Sequence, residues 1–429
     1  MRFSSVATAL LATAQYVAAA PSFPAIDNKH NGKIAPKVMI VSLFHPEAAI
    51  WYSNLPSSGL GNLMDVNITA PGLSMLFPHV HCVADHSICQ MTTGESEINA
   101  ASTVMAAVLS GKFDLTETYF MIAGIGGVNP KYSTLGGVAL ARYSVQVALQ
   151  YEFDAREMPA NWSTGYFGYG TEEPDVYPGN QYGTEVLEVS ETLRDIAFGY
   201  ASKANLTDDP IAAEYRARYA AAADGIYTAG TAVPSVVKCD TATSDVYYSG
   251  TILGEAFENV TKVWTNGTGE YCMTAQEDSA VLEVLVRLAI EGMVDFKRVI
   301  LMRTGSDFDR PPPGITAFAN LVTVDQNGFE IAIKNIYNAG IEIVKGILKN
   351  WDCTFKEGVT PTNYVGDIFG SLGGEPDFGP GSLTGGIGYL PGGRSGDLTK
   401  RSTKLTRRTA TTKRAKRGIV VSVRPSKEQ

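Results

Sequence analysis

Short apolar segments alternate along the chain with longer segments in which apolar residues recur every three or four positions. The wholly apolar run KVMIVSLF at residues 37–44 is typical of a strand covered on both faces of a sheet. Further strands are predicted at 118–127, 234–243 and 298–303, with a strand pair or one long bent strand at 136–154. Helical periodicity predicts helices at 95–111, 184–204, 210–223, 277–292 and 327–351. This alternation predicts an α/β fold with a mostly parallel or mixed sheet between helices.

The two ends of the chain differ from this α/β region. Residues 1–20, MRFSSVATALLATAQYVAAA, combine Arg2, a short apolar stretch and the small residues Ala18 and Ala20 before Pro21, which predicts a secretory signal peptide. We therefore expect a secreted or cell-surface protein, with a single domain over residues 21–390 and a basic tail over 391–429. No later stretch of eighteen or more residues is both apolar and uncharged, so we expect no transmembrane segment.

Two residue types support the secretory interpretation. Five Asn-x-Ser/Thr triplets offer acceptors for N-glycosylation, at Asn67, Asn161, Asn205, Asn259 and Asn266. Outside the cell the five cysteines can form one or two disulfides, and Cys82–Cys89 is the most local candidate. The pairing of the other cysteines stays open.

The net charge of −9 conceals an acidic body and a basic end. Residues 394–429 contain twelve basic and two acidic residues, whereas the rest of the chain has 23 basic and 42 acidic ones. An acidic body argues against nucleic acid as a partner. The tail has no aromatic residues and no apolar periodicity, which predicts disorder. Contact with an anionic wall or membrane and removal of the tail by processing at its dibasic sites both stay open.

Two motifs invite a chemical interpretation. The segment FPHVHCVADHSICQ holds His79, His81, Cys82 and His86, but zinc sites need four ligands at a fixed spacing, so we expect a loop with a local disulfide and no metal. AGIGG at residues 123–127 lacks the G-x-G-x-x-G pattern of dinucleotide binding, so we expect no cofactor. Its glycines would either let the backbone approach a small ligand or form a tight structural turn. The sequence has no G-x-S-x-G motif to indicate a serine nucleophile.

Three acidic residues follow or open predicted elements. Glu47 comes after the first strand, Glu277 opens the helix at 277–292, and Asp307 closes the strand that ends in RTGSD. Ligands of such sheets bind beyond the carboxyl ends of the strands, so we expect these acids, Tyr247 and the 124–127 loop at one edge. Carboxyls in different environments can act as acid and base. Each acid could equally be a helix cap or a turn former.

The order of these segments resembles that of the nucleoside phosphorylase/nucleosidase superfamily, and residues 35–370 as a whole resemble the fungal purine nucleoside permease family. The segments that carry the first resemblance are SLFHPEAA, AGIGG, SDVYY, QEDSA and RTGSD. The resemblance implies a three-layer nucleoside phosphorylase-like fold, in which helices flank a mixed, twisted sheet. It also implies that the ligand is a purine nucleoside.

The resemblance assigns the catalytic roles. Asp307 would hydrogen-bond or protonate N7 of the purine, so that the base leaves neutral, and Ser306 would lie beside it. Glu47 would orient the attacking water. These roles describe cleavage of an N-glycosidic bond by activation of the leaving group and positioning of the nucleophile on an oxocarbenium-like ribose.

The same resemblance implies the binding residues. Glu277 would hold the 2′- and 3′-hydroxyls of the ribose, and Tyr247 would stack on the base, as aromatic rings do on a flat π-face. The backbone of a glycine-rich segment would border the ribose and the nucleophile, at Gly124, Gly126 and Gly127.

The sequence favours hydrolysis over phosphorolysis. The phosphorylases of this superfamily bind phosphate with arginines near the first strand and the glycine-rich segment, whereas this chain has no arginine between Arg2 and Arg142. Lys112 and Lys131 could supply charge but no bidentate fork, so phosphate stays open as a partner. The alternative function is an extracellular nucleoside-binding protein that takes part in transport without catalysis. Assembly into a homo-oligomer also stays open.

Overall fold

The computed structural model of the chain describes residues 32–379, so the predicted signal peptide and basic tail lie outside the described residues. The strands are β1 (Val38–Ser42), β2 (Val66–Ile68), β3 (Val80–Cys82), β4 (Ile88–Thr92), β5 (Tyr119–Val128), β6 (Val138–Ala141), β7 (Tyr143–Gln146), β8 (Tyr151–Glu152), β9 (Tyr166–Phe167), β10 (Val186–Glu188), β11 (Val236–Lys238), β12 (Asp240–Thr243), β13 (Tyr271–Ala275), β14 (Val299–Phe308) and β15 (Gly366–Asp367). The α-helices are α1 (His45–Asn54), α2 (Glu97–Leu109), α3 (Glu191–Ala201), α4 (Pro210–Ala217), α5 (Thr251–Trp264), α6 (Asp278–Ile290) and α7 (Phe329–Lys349).

Thirteen of these strands form one mixed sheet. Its main order is β15-β10-β7-β12-β13-β5-β1-β4-β3-β2, and β14 joins it by pairing with β5 and β6. At the centre β4, β1, β5 and β14 are parallel, whereas β6 is antiparallel to β14. The apolar composition of β1 follows from this position, because a central strand is covered on both faces and all its side chains are buried.

Helices cover both faces of the sheet. Successive residues of β1 point into the two different layers. Met39 packs in a core with residues of α2 and α6, whereas Ile40 packs in a core with residues of α1, α3 and α7. A strand with alternating faces thus separates two hydrophobic layers. The predicted α/β fold, a mixed sheet flanked by helices, is confirmed.

Several elements of the structure differ from those predicted from the sequence. Residues 186–188 form β10, so the helix predicted at 184–204 begins only at Glu191. The strand predicted at 234–243 is two strands, since β11 pairs with β6 while β12 pairs with β7 and β13. The glycines of AGIGG lie inside β5 and not in a loop, because β5 continues to Val128 alongside the equally long β14. Helices α1 and α5 and strand β13 were not predicted from the sequence.

The expected loop around the histidines is instead a β-hairpin. β3 and β4 pair antiparallel, and a disulfide joins Cys82 to Cys89, which lies directly opposite in the ladder. The prediction of a local disulfide is therefore confirmed, while the prediction of a loop is wrong because both segments are extended. A second disulfide joins Cys239 to Cys272 in β13, and Cys353 is an exposed free thiol.

The surface of residues 32–379 bears on the secretory interpretation in two ways. All five predicted glycosylation acceptors are exposed: Asn67, Asn161, Asn205, Asn259 and Asn266. Each of the five side chains therefore reaches solvent in the folded chain. Across these same residues, none of the helices has the length and apolar character needed to cross a membrane.

Candidate active site

A cavity of about 250 Å³ opens at the edge of the sheet where the parallel strands β1, β5 and β14 end. Its wall is formed by the first turn of α1, the end of β5, the segment after β12, the residues before α6 and the end of β14. Most of the residues selected from the sequence line it: Glu47, Gly126, Gly127, Tyr247, Glu277, Ser306 and Asp307. Gly124 lies just outside the lining, against Leu43 and Arg303. The structure thus brings the selected residues together at one edge.

Glu47 lies in the first turn of α1, directly after β1, and not in a loop. Its buried carboxylate accepts hydrogen bonds from the amide of Leu43 at 2.7 Å and the amide of Ile125 at 2.8 Å, so it joins the β1–α1 turn to β5. Burial raises the pKa of Glu47 to about 8, against the opposing effects of the Arg303 guanidinium and the two amides. A carboxyl with this pKa can exchange a proton near neutral pH.

Glu277 stands immediately before α6 and is held from two sides. Its Oε1 accepts from the amide of Ser96 at 3.0 Å, and its Oε2 accepts from Nη2 of Arg303 at 3.0 Å. The same guanidinium donates to Asp278 from Nε and Nη2, and from Nη1 to the carbonyl of Ile125 at 2.8 Å. Burial raises the pKa of Glu277, and Arg303 opposes that shift. Each oxygen of Glu277 keeps a lone pair that can accept a ligand hydroxyl.

The glycine-rich end of β5 passes very close to neighbouring groups. A Cβ on Gly126 would stand 2.1 Å from the carbonyl oxygen of Thr274, and a Cβ on Gly124 would stand 2.7 Å from Nη1 of Arg303. The amide of Gly127 donates to Oγ1 of Thr274 at 2.6 Å. The hypothesis of a tight turn is therefore wrong, and close approach of the backbone explains why side chains are absent here.

Asp307 stands near the end of β14, at a β-bulge opposite Gly127. The Ser306 hydroxyl donates to its Oδ1 at 2.7 Å, with the carbonyl of Gly126 as a second acceptor at 3.2 Å. Burial raises the pKa of Asp307, Ser306 opposes the shift, and the charge of Asp309 adds to it. Since Ser306 occupies only Oδ1, Oδ2 is left to meet a ligand. A carboxyl that retains its proton in this way can act as an acid.

One side of the cavity is largely apolar. Phe44, Leu321 and Phe329 line it, and the rings of Phe44 and Phe329 meet edge to face with their centroids 6.3 Å apart. Tyr247 lies at the mouth and is 73% exposed, with its hydroxyl 3.4 Å from Oε1 of Gln276. An aromatic ring in this position offers a face on which a planar base can stack.

Arg303, the charged group that joins several of these segments, was not selected from the sequence. Arg303 is buried in β14 and is the one cationic residue in the described lining, which also contains five acids: Glu47, Glu95, Glu277, Asp307 and Asp309. The signal for Arg303 was its place inside an otherwise apolar strand, because a buried guanidinium needs acidic partners. The adjacent acids Glu277 and Asp278 at the start of α6 were the candidates.

Fold and cavity define an α/β protein with a cavity at the carboxyl edge of its sheet. The model of the purine nucleoside permease family (NUP) matches residues 35–360 of the chain. A purine nucleoside permease from Candida albicans is 46% identical over 352 residues, covering 80% of this chain and 83% of that protein. A probable purine nucleoside permease from Schizosaccharomyces pombe is 42% identical over 324 residues, covering 74% and 90% respectively. The chain belongs to the purine nucleoside permease family, as the resemblance over residues 35–370 implied.

Solved structures of nucleosidases are similar to most of the chain at low identity. A 5′-methylthioadenosine/S-adenosylhomocysteine nucleosidase from Neisseria meningitidis has a TM-score of 0.42 and 13% identity, covering 73% of this chain and 99% of that chain. A futalosine hydrolase from Helicobacter pylori has a TM-score of 0.43 and 13% identity, covering 73% and 98%. At this similarity the role of each side chain has to be inferred from the residues of this chain.

Proposed function

We propose that this protein hydrolyses the N-glycosidic bond of purine nucleosides. The observation that carries the proposal is the meeting of Asp307, Glu47 and Glu277 in one cavity, each with a pKa raised by burial. Such a reaction needs an acid for the leaving base, a base for the water and a group that holds the sugar. Membership of the purine nucleoside permease family supports a purine nucleoside as the ligand.

Asp307 supplies the proton for the leaving group. Its protonated Oδ2 donates to N7 of the purine as the bond between N9 and C1′ breaks, and the electron pair of that bond goes to the base. Positive charge then develops on the ribose. Ser306 keeps the carboxyl oriented through the hydrogen bond of 2.7 Å to Oδ1, and the ring of Tyr247 stacks on the base.

Glu47 and Glu277 act on the sugar. A water molecule attacks C1′ and passes a proton to ionised Glu47, whose two oxygens are already fixed by backbone amides at 2.7 and 2.8 Å. Each of those oxygens keeps a further lone pair to accept it. Glu277, held by Ser96 and Arg303, accepts hydrogen bonds from the ribose 2′- and 3′-hydroxyls. The products are a neutral purine and ribose, and exchange with solvent resets both acids.

The charge of the cavity favours water over phosphate as the nucleophile. Five acids line the cavity beside Arg303, and the nitrogens of that guanidinium already donate to Asp278, Glu277 and the carbonyl of Ile125. A phosphate would therefore meet a surplus of negative charge without a free bidentate fork to bind it.

The test is incubation of the purified protein with inosine, adenosine and guanosine, with and without phosphate, followed by identification of the sugar. We expect free purine and ribose under both conditions. A strict requirement for phosphate, with ribose 1-phosphate as product, would overturn hydrolysis. Intact nucleosides under both conditions would overturn catalysis altogether.

A second candidate is a nucleoside-binding protein that serves transport, and the observation that favours it is the description of the relatives as permeases. Such a protein needs Glu277 and Tyr247 but not the acid Asp307. Uptake of a nucleoside labelled in both base and ribose separates the two. Cleavage delivers base label without an equal share of ribose label, whereas binding delivers both labels at a constant ratio, in wild type and Asp307→Asn alike.

We also propose that the protein acts outside the cell. The signal-like residues 1–20, the five exposed glycosylation acceptors and the two disulfides support this location. Protein recovered from the medium or the cell surface should lose mass on digestion with an N-glycosidase that removes glycans. An unglycosylated protein confined to the cytosol would contradict the proposal.

A further inference from the structure

A second buried carboxylate lies two residues beyond Asp307. Asp309 follows the end of β14, is 1% exposed and borders the same cavity. Its Oδ1 accepts from Nε of Arg310 at 2.8 Å, and its Oδ2 accepts from Nη2 of Arg310 at 2.8 Å and from the hydroxyl of Tyr271 at 2.7 Å. A two-point ion pair with a third donor holds this carboxylate in one orientation.

The carboxylate connects the elements around the cavity. Tyr271 in β13 accepts a hydrogen bond from the hydroxyl of Tyr248 at 3.0 Å, and Tyr248 lines the cavity beside Tyr247. The backbone carbonyl of Asp309 accepts from the amide of Gly250 at 2.9 Å. The segment 247–250 is thus tied to Asp309 twice, once through side chains and once through the backbone.

Arg310 is built into the structure as the partner of Asp309. Its guanidinium is fully buried, its Nη1 donates to Glu255 at 2.7 Å, and α5 passes over it at Gly254, where a Cβ would stand 2.5 Å from Nη2. A buried ion pair is weak evidence of a contribution to stability, because apolar residues of similar volume often serve as well. The position of the Asp309–Arg310 pair next to Asp307 indicates a role in the site.

We propose that Asp309 is a positioning residue of this site. Through Tyr271 and Gly250 it holds the segment that carries Tyr247 over the base, and its fixed negative charge lies beside Asp307. The consequence for cleavage rests on the proposed hydrolytic function. The consequence for ligand binding does not, since it needs no turnover.

The charge of Asp309 gives the proposal a distinctive signature. It adds to burial in raising the pKa of Asp307, while the Ser306 hydroxyl opposes the shift. From other elements, Tyr215 of α4 and Tyr247 act on Asp307, and both stay neutral because burial raises the pKa of each phenol above 10. Loss of the charge on Asp309 should therefore lower the pKa of Asp307, and purine binding that needs its proton should fail at a lower pH.

The experiment is calorimetric titration of adenine between pH 5 and 9 with the full protein and two variants. Asp309→Asn should move the alkaline midpoint of binding downward by roughly one pH unit, the scale of a neighbouring charge. Tyr271→Phe removes no charge but removes the hydroxyl that joins Tyr248 to Asp309, so it should weaken binding about three- to tenfold and leave the midpoint in place. Tyr337→Phe is the matched control, because its hydroxyl donates at 2.9 Å to the carbonyl of Asn54, outside the cavity lining.

Each outcome bears on the proposal. An unshifted midpoint in folded Asp309→Asn overturns the role of the charge, and unchanged affinity in Tyr271→Phe overturns the positioning role. If Asp309→Asn does not fold, as its melting curve would show, Tyr271→Phe alone decides the proposal. A wild-type protein that binds adenine but releases no base from nucleosides would overturn hydrolysis and leave these comparisons intact.

Discussion

Substitution of Asp307 by Asn removes a transferable proton and little else. The Asn Oδ1 can still accept the hydrogen bond that Ser306 makes at 2.7 Å, and its Nδ2 would stand where Oδ2 of Asp307 now borders the cavity. The amide can also donate to N7 of a purine, so nucleoside binding should weaken by less than about 1 kcal/mol. It cannot transfer the proton, so turnover should fall by roughly two to four orders of magnitude, or about 3–5 kcal/mol in the barrier.

The assay is release of free purine from adenosine in a single turnover, beside the dissociation constant from calorimetry. Asp224→Asn, at an exposed acid outside the cavity lining, is the matched control and should match wild type in both. Turnover of Asp307→Asn within about threefold of wild type would refute the role of the acid. Equal losses in binding and turnover would show that the substitution disturbs the cavity as a whole and would refute the geometric reasoning.

Three further changes test other parts of the site. Glu277→Gln should weaken adenosine binding by about 1.5–3 kcal/mol and adenine binding much less, since the lost contacts are to the sugar; equal losses in calorimetry would contradict that role. Gly126→Ala should lower the free energy of unfolding in urea by about 1–3 kcal/mol, because its Cβ would meet a backbone carbonyl at 2.1 Å, whereas Gly199→Ala has open space and should not. Folding raises the pKa of Glu47 from 4.5 to about 8, so the protonated carboxyl contributes fully to stability below pH 4.5. That contribution is lost as the pH rises through 8, and the free energy of unfolding should fall by about 4–5 kcal/mol over this range. Urea unfolding at pH 5, 7 and 8.5 should show this decline in wild type and a flatter one in Glu47→Gln; parallel declines would count against it.

The alternation of strands and helices could be predicted because central parallel strands leave an unambiguous signal. β1 and β5 are buried on both faces and appear as continuous apolar runs, and α7 shows a clear helical period. The errors fall where that signal is short or mixed. β10 has only three residues and directly precedes α3, so its apolar residues were assigned to the helical pattern of α3. β13 has only five residues, and its pattern could not be distinguished from that of the neighbouring segments.

Site residues could be predicted from the sequence when they directly follow a strand, but not when they depend on contacts between distant segments. Asp307 and Glu47 could be selected because each comes at the carboxyl end of a buried strand, the edge at which ligands bind. The contact of Ser96 with Glu277, and that of Asp309 with Tyr271, join residues 181 and 38 positions apart. Local periodicity carries no information on such contacts, so the network behind the cavity required the structure.

The Arg303 guanidinium contacts the carboxyls at and behind the cavity unequally. Arg303 binds Asp278 through Nε at 3.1 Å and Nη2 at 2.5 Å, and it binds Glu277 once, at 3.0 Å. Glu47 feels only its charge, and burial still raises the pKa of that carboxyl to about 8; for Asp307 burial raises the pKa without opposition from Arg303. Of the two carboxylates that the guanidinium binds, Glu277 borders the cavity and is suited to accept hydroxyls from a ligand. Burial raises the pKa of Glu47 and of Asp307, which the guanidinium does not bind, and this suits them to proton transfer. Under the proposed function, contact with Arg303 would thus distinguish the carboxyl that binds the ligand from the two that transfer protons.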